Sequence, residues 1–404
     1  MKKLALYWQI LIAFVLAIIF GILFKEYVQY VAWMGTLFLK GLKMVIIPLI
    51  ISSIVSGVAN IGNANNLGRL GFKTFAYYIS TSTLALLTGL FFVNLFKPGV
   101  GADMGFVEKV KGLSKAKESF GDTLLNIVPE NIFQAMADNK MLSIIFFAIL
   151  IGFFITRAAT KHKVILTDLF NSFFDVMMKI TLFIIKFTPF GIFGIVAEQV
   201  AHQNNLVELL SRLGLYMGVV MMALAFHSVI ILPLILKIVG KANPIKQFKA
   251  MRTPLITAFS TSSSNATLPL TMDAVENKSG VSNSITSFTL PLGATVNMDG
   301  TALYELVAAM FIAQAYGIDM SVTQQIIIVI TGLLASIGAA GIPMAGLVMI
   351  SVILSAVGLP LEGIGLILAV DRILDMFRTA VNVWSDSCGA VIIAKSEGEK
   401  LKVE

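Results

Sequence analysis

Charge is scarce in this sequence. Only 13% of its residues are Asp, Glu, Lys or Arg, about half the share in an ordinary soluble domain. A soluble fold could not hide the 57% of residues that are hydrophobic, so the setting is a membrane. A lone cysteine, Cys388, excludes an intrachain disulfide framework and a Cys-rich metal centre. His162, His202 and His227 are too scattered to form a ligand cluster, and the absence of a glycine-rich phosphate loop ending in Lys argues against an ATP-driven pump. An intramembrane enzyme is disfavoured too: the apolar segments hold neither a Ser/His pair nor a His-Glu-Xaa-Xaa-His motif, and the serines around Ser263 have no candidate base.

Long apolar segments are present instead, at 4–24, 33–58, 74–96, 141–155, 165–197, 213–238, 284–315 and 363–394. Most are long enough to cross about 30 Å of hydrocarbon at about 1.5 Å per residue, which predicts eight spans. The start Met1-Lys2-Lys3 could open a secretory signal, but the apolar run that follows is long and has no small-residue cleavage site, which favours a retained first helix. Lys2 and Lys3, Arg69 and Lys73, Arg157 with Lys161 and Lys163, the basic residues from Lys237 to Arg252, and the tail from Lys395 to Lys402 flank alternate membrane exits. That pattern places both termini in the cytoplasm and the mixed-charge segment 97–122 outside. The net charge of +7 thus reflects topology and gives no reason to invoke nucleic acid.

The last apolar segment carries a polar run at 370–386. On a helix, Asp371, Asp375, Arg378, Thr379, Asn382 and Asp386 fall within an arc of roughly 100°. Each ionisable group at bilayer depth costs about 2.5 to 3.5 kcal/mol on insertion scales, so this stripe must face partners, ions or a solute. It is the first candidate binding site.

Three stretches interrupt the helical pattern. Residues 260–269 place a cluster of Ser and Thr, Asn265 and Pro269 among apolar neighbours, and residues 335–346 do the same with glycines and Pro343. In a soluble protein these would be surface turns; at membrane depth each is the tip of a re-entrant hairpin. The third, 291–301, holds Asp299 as a lone acid bracketed by Gly293 and Gly300. Oxygen ligands on a broken helix suit a hard cation such as sodium; the plainer reading is a kinked helix whose polar groups pair with neighbours. The order hairpin, broken helix, hairpin, polar helix has the rough symmetry of an inverted repeat. Two re-entrant loops and a polar stripe also describe a channel.

Ser262-Ser263-Ser264-Asn265-Ala266-Thr267-Leu268-Pro269, Asn297-Met298-Asp299-Gly300-Thr301-Ala302-Leu303-Tyr304-Glu305, Gly341-Ile342-Pro343-Met344-Ala345-Gly346 and the run from Asp371 to Asp386 occur in this order. Together they resemble the dicarboxylate/amino acid:cation symporters, the family of the excitatory amino-acid transporters and the archaeal aspartate transporters. The resemblance implies an all-α integral membrane protein with eight transmembrane helices and two re-entrant helical hairpins, an elevator-type transporter assembled as a homotrimer. It implies scaffold helices at 1–70 and 126–205, a third helix with an outer loop at 71–125, a sixth helix at 206–242, and a transport core at 243–404.

The resemblance implies site residues as well. Arg378 would pair with the side-chain carboxylate of an acidic amino acid and Asp375 with its amino group. Ser263, Ser264, Thr301 and Asn382 would complete the site, shaped by Thr379 and Gly346. From the residues alone, Asp375 and Arg378 could be a structural i, i+3 ion pair. One sodium site would use Asp386, Asn297 and Asn382; a second Asp299, Asn297, Tyr78, Thr81 and Ser82. A third would use carbonyls of Thr295, Ser336, Ile337 and Ala339, with Met298 nearby. Sodium is here a cotransported ligand, with no cofactor expected. An anionic substrate entering a negative cell meets a penalty of about 2.3 kcal/mol per charge per 100 mV, which cotransported cations overturn.

Glu305 stands where the proton-coupled branch of the family carries Glu and the sodium-only archaeal branch Gln, so the resemblance implies a proton role; the plainer reading is a helix-end acid facing a cavity. Both branches place an arginine either in the serine-rich tip or beside the helix-eight Asp. Here Ser262 and Met376 occupy those positions, so potassium linkage is not carried over. The compact sequence points to a prokaryotic plasma membrane.

Overall fold

The computed structural model describes residues 6–61, 68–101, 125, 127–138, 140–202, 206–338 and 345–404. Among them the regular structure is helical throughout. In chain order the helices are α1 (Leu6–Leu23), α2 (Gln29–Ile61), α3 (Gly68–Phe96), α4 (Ile132–Ala137), α5 (Met141–Arg157), α6 (Thr160–Ile185), α7 (Thr188–His202), α8 (Leu206–Phe226) and α9 (Leu232–Ile238). Then follow α10 (Pro244–Ala250), α11 (Arg252–Thr261), α12 (Ser264–Asp273), α13 (Asn283–Val296), α14 (Asp299–Ala315), α15 (Val322–Gly338), α16 (Ala345–Ala356) and α17 (Ile364–Ser396). Lys2, Lys3, most of segment 97–122, Ala339 and the tip from Gly341 to Met344 lie outside the described residues.

The burial pattern is that of a protein in lipid. Large apolar side chains such as Trp8, Leu16, Phe72, Phe91, Phe154 and Val229 face outward, while Asp299, Glu305, Arg378 and Asp386 are buried. Among the described residues three helices are long and apolar enough to cross a membrane, at Gln29–Ala59, Arg69–Phe96 and Ser211–Ile238. The third runs through α8 and α9 by way of a π-helical turn, His227–Ile231. The expected span at 165–197 is divided: Thr160–Ile185 and Thr188–Glu198 meet at 51°. The cause is local. Thr188 Oγ1 turns back to donate to the Ile185 carbonyl at 2.6 Å, and Pro189 has no N–H with which to continue the ladder.

Two groups of helices emerge from the packing. In one, α1 lies on α7, and α2 on α5, α6 and α7; in the other, α14 lies against α3, α15, α16 and α17. Apart from Gln314, every residue of α14 is buried. Such all-round burial explains why the sequence from 299 to 315 has no apolar face to distinguish: it contacts protein on all sides.

The two expected hairpins are helix pairs. Helices α11 and α12 pack on each other, as do α15 and α16. The first turns at Ser262, whose left-handed backbone (φ 51°) ends α11, and Ser263 caps α12 by accepting the Ala266 amide at 3.2 Å. Pro269 lies inside α12 and Pro291 inside α13. The breaks therefore fall at Ser262-Ser263 and at Asn297-Met298, not at the prolines. In membrane helices a proline's orphaned carbonyl can be satisfied by neighbours, so Pro is a weaker breaker there than in water.

Candidate functional site

The stripe on α17 divides into two clusters. Toward its N-terminal half, Arg378 is wholly buried. Its Nη2 donates to Asp375 Oδ1 at 2.8 Å and lies 3.1 Å from Asp371 Oδ1, close enough for an ion pair but not aligned as a hydrogen bond. The guanidinium sits 3.9 Å from the centre of the Tyr304 ring, a cation–π contact that α14 supplies. Nε and Nη1 make no hydrogen bond among the described residues. Nη1 points at Gly346, where any β-carbon would come within 2.8 Å of it; glycine keeps that edge of the fork open. Arg372 Nη1 approaches the other oxygen of Asp375 at 3.6 Å. Arg372 and Arg378 thus flank Asp375, and Asp371 lies against Arg378.

The serine-rich turn reaches the same place. Phe259 of α11 meets Phe377 edge-on, with ring centroids 5.0 Å apart, which docks the Ser263-Ser264 tip against the turn of α17 that carries Arg378. Ser264 is buried. Thr379 is also buried, its hydroxyl donating to the Asp375 carbonyl at 2.8 Å. Glu305, one residue past Tyr304, is fully buried, and neither of its oxygens has a hydrogen-bond partner among the described residues. This overturns the alternative of an exposed helix-end acid.

The second cluster forms around the α13–α14 break. Gly300 N, an orphan donor at the start of α14, gives its hydrogen to Asn382 Oδ1 at 2.8 Å. The Asn382 Nδ2 contacts Thr301 Oγ1 at 3.1 Å and Met298 Sδ at 3.3 Å. A β-carbon at residue 300 would lie 2.5 Å from the Arg378 carbonyl, so glycine lets α14 begin directly against α17. Asn297 donates to Asp386 Oδ1 at 2.9 Å and to Ser385 Oγ at 3.0 Å, and its Oδ1 accepts from Thr81 at 3.3 Å. Asp299 Oδ1 accepts from Ser82 at 2.7 Å, and its Oδ2 from Ser385 at 2.6 Å. Tyr78, on α3, donates to the Thr289 carbonyl at 2.6 Å.

Oxygens from three segments are therefore paired here, Thr81 of α3 with Asn297 of the break and Ser82 of α3 with Asp299. This is a hard-cation donor set. Asp386 adds a second carboxylate across Asn297. The third expected cation site rests on backbone carbonyls: Thr295 lies in the last turn of α13, and Ser336 and Ile337 in the last turn of α15. The side chain of Ile337 and all of Ala339 lie outside the described residues.

Two neighbours of Asp299 escaped sequence reasoning. Ser385 lies just beyond the polar arc of α17, and a slightly wider arc would have included it. His227 Nε2 stands 3.3 Å from Asp299 Oδ2, brought there by the π-helical turn; π turns recur at functional sites, but a lone histidine in an apolar run carries no signal of this contact.

The sequence profile of the sodium:dicarboxylate symporter family matches residues 6–396. The chain is 40% identical to the "Proton/sodium-glutamate symport protein" of Bacillus caldotenax, an alignment covering 99% of this chain and 96% of that one. It is 37% identical to the "Proton/glutamate-aspartate symporter" of Escherichia coli (strain K12), over 98% of this chain and 93% of that protein. Human "Excitatory amino acid transporter 3" is also 37% identical, over 96% of this chain and 85% of its own. The chain is an integral membrane protein of the sodium:dicarboxylate symporter family.

Proposed function

We propose that this chain is a secondary active symporter that brings acidic amino acids, L-aspartate or L-glutamate, into the cell together with sodium, and that Glu305 adds a proton to the cycle. The observation that carries this reading is the state of Arg378: buried at membrane depth, held on one side by Asp375, with Nη1 beside Gly346 and neither Nε nor Nη1 hydrogen-bonded among the described residues. A guanidinium fork that offers two further donors fits a carboxylate in a bidentate manner. Asp375 then takes the substrate ammonium, which favours an amino acid over a plain dicarboxylate. Thr301, Asn382 and the Ser263-Ser264 turn bind the remaining carboxylate.

Asp299 with Asn297, Tyr78, Thr81 and Ser82 holds one sodium ion, and Asp386 with Asn297 and Asn382 another. The third, at Thr295, Ser336, Ile337, Ala339 and Met298, belongs to the same proposal. The named relatives, which pair glutamate with sodium, protons or both, support the coupling. The denser packing of α1, α2 and α5–α7 among themselves, and of α3 and α14–α17 among themselves, with a smaller contact of α2 on α15 and α16, supports an eight-span protomer in which a transport core slides as an elevator against a trimer-forming scaffold. Both termini face the cytoplasm of a prokaryotic plasma membrane.

Uptake of radiolabelled aspartate into proteoliposomes, with sodium, proton and potassium gradients varied independently, tests this directly. Saturable flux that collapses without a sodium gradient is expected. A conductance indifferent to amino acid would replace the carrier with a channel.

A further inference from the structure

We infer that Ser385 is a positioning residue that links the two cation sites, fixing with one hydroxyl the orientation of ligand groups at both. The inference rests on the proposed reading of Asp299 and Asp386 as sodium ligands, and extends it to a residue outside that ligand set. Ser385 is fully buried. Its Oγ donates to Asp299 Oδ2 at 2.6 Å and accepts from Asn297 Nδ2 at 3.0 Å. The serine is itself anchored, because Tyr77 donates to its carbonyl at 3.1 Å.

The consequence follows from which atoms are engaged. With Oδ2 of Asp299 tied to Ser385 and His227, Oδ1 is the oxygen turned toward Ser82. With both hydrogens of Asn297 Nδ2 committed to Ser385 and Asp386, its Oδ1 is turned toward Thr81. Both oxygens that face the Thr81-Ser82 pair are therefore aimed from behind by the same hydroxyl. The Asn297 amide that Ser385 grips also binds Asp386, so a cation drawing on Asp386 alters the bonds that orient Asp299. A continuous hydrogen-bonded chain runs from Asp386 through Asn297 and Ser385 to Asp299, and such chains polarise their members cooperatively.

Removing the hydroxyl leaves Asn297 with an unused donor and leaves Asp299 Oδ2 with His227 at 3.3 Å in place of its shorter bond to Ser385. Ligand atoms survive, but their aim and mutual dependence are lost. Sodium titrations of aspartate uptake by the full-length chain in proteoliposomes test this with Ser385→Ala, Ser385→Cys and Asp299→Asn. For Ser385→Ala, half-saturating sodium rises about five- to tenfold, within the usual span of coupling between sites. Its Hill coefficient falls, while maximal uptake and aspartate affinity at saturating sodium stay within about twofold of the parent. Ser385→Cys, with a weaker donor of similar size, gives an intermediate shift and guards against a packing defect of the alanine variant. A sodium titration displaced by Asp299→Asn but not by either serine variant overturns the inference alone. A loss of maximal uptake with unchanged half-saturation and Hill coefficient also overturns it, by making Ser385 merely structural. A titration unmoved even by Asp299→Asn overturns the cation-site reading and this inference with it.

Discussion

Replacing Arg378 with alanine separates recognition from folding, because the guanidinium has two kinds of partner. Within the protein it neutralises Asp375 at 2.8 Å and Asp371 at 3.1 Å and lies against the Tyr304 ring at 3.9 Å. On the proposed reading it offers the substrate Nε and Nη1, which have no hydrogen-bond partner among the described residues. Truncating one side of a buried, hydrogen-bonded charge pair costs about 2 to 5 kcal/mol, so aspartate affinity should fall roughly 30- to 5,000-fold. The two aspartates left behind add a destabilisation of about 3 to 5 kcal/mol that has nothing to do with substrate. Pairing Arg378→Ala with Asp371→Asn removes one stranded charge and so recovers part of that stability without recovering affinity.

Isothermal titration with aspartate at saturating sodium, beside thermal unfolding in detergent, measures both quantities on the same samples. A neutral amino acid with only an amino group and an α-carboxylate is the internal control, and any binding of it should weaken less than that of aspartate. Unchanged aspartate affinity in Arg378→Ala would refute the assignment. So would an affinity that returns fully in the double variant, since the loss would then stem from the orphaned aspartates.

Glu305→Gln keeps shape and burial but removes the exchangeable proton, so the pH dependence of uptake should flatten while sodium dependence remains; an unaltered pH profile dismisses the proton role. In Gly293→Ala the new methyl would stand 2.5 Å from Asp386 Oδ1 and 2.9 Å from the Tyr78 hydroxyl. Half-saturating sodium should therefore rise at least about fivefold, and an unchanged sodium titration would show that Asp386 is no ligand. Beyond the end of α17, Glu397 accepts from Lys73 at 2.6 Å and from Arg69, bonds that hold its carboxyl below the usual range. A depressed folded value means that this clasp stabilises above the ordinary carboxylate range, near pH 4.3, and fades as pH falls through the lowered value. The difference in melting temperature between parent and Glu397→Gln should accordingly shrink on acidification below about pH 4.5. A difference that is constant with pH excludes the clasp as its source.

Much of this was legible in the sequence because lipid punishes polar groups so heavily. A helix with Asp371, Asp375, Arg378, Asn382 and Asp386 on one arc has few ways to exist in hydrocarbon, and α17 indeed turns that arc inward. The break before Asp299 was legible for the same reason, although its position was not. Proline marks interruptions well in water, yet Pro269 and Pro291 lie within helices here. The left-handed Ser262 ends α11 instead, and Asn297 (φ −95°, ψ 80°) ends α13. The bend after Ile185 was missed because apolar composition persists across it. His227 escaped because its contact with Asp299 spans 72 residues and depends on a π turn, which no periodicity of side chains announces.

The spacing along α17 bears on how the cargoes are coupled. Arg378 and Asp386 are eight positions apart on one uninterrupted helix, about 12 Å at 1.5 Å per residue, so neither can approach the other. Communication must pass through what lies between them, and the side chain there is Asn382. It accepts from Gly300 N and contacts Thr301 and Met298, all within the segment that carries Asn297 and Asp299, the proposed cation ligands. On the proposed reading, a cation that draws in Asn297 and Asp299 would shift the start of α14, the segment that carries Thr301, Tyr304 and Glu305. On that reading the α13–α14 break is the element that would move and the continuous helix α17 the one that would stay. Such a division of labour would let ion occupancy alter substrate affinity without any movement of Arg378 relative to Asp386.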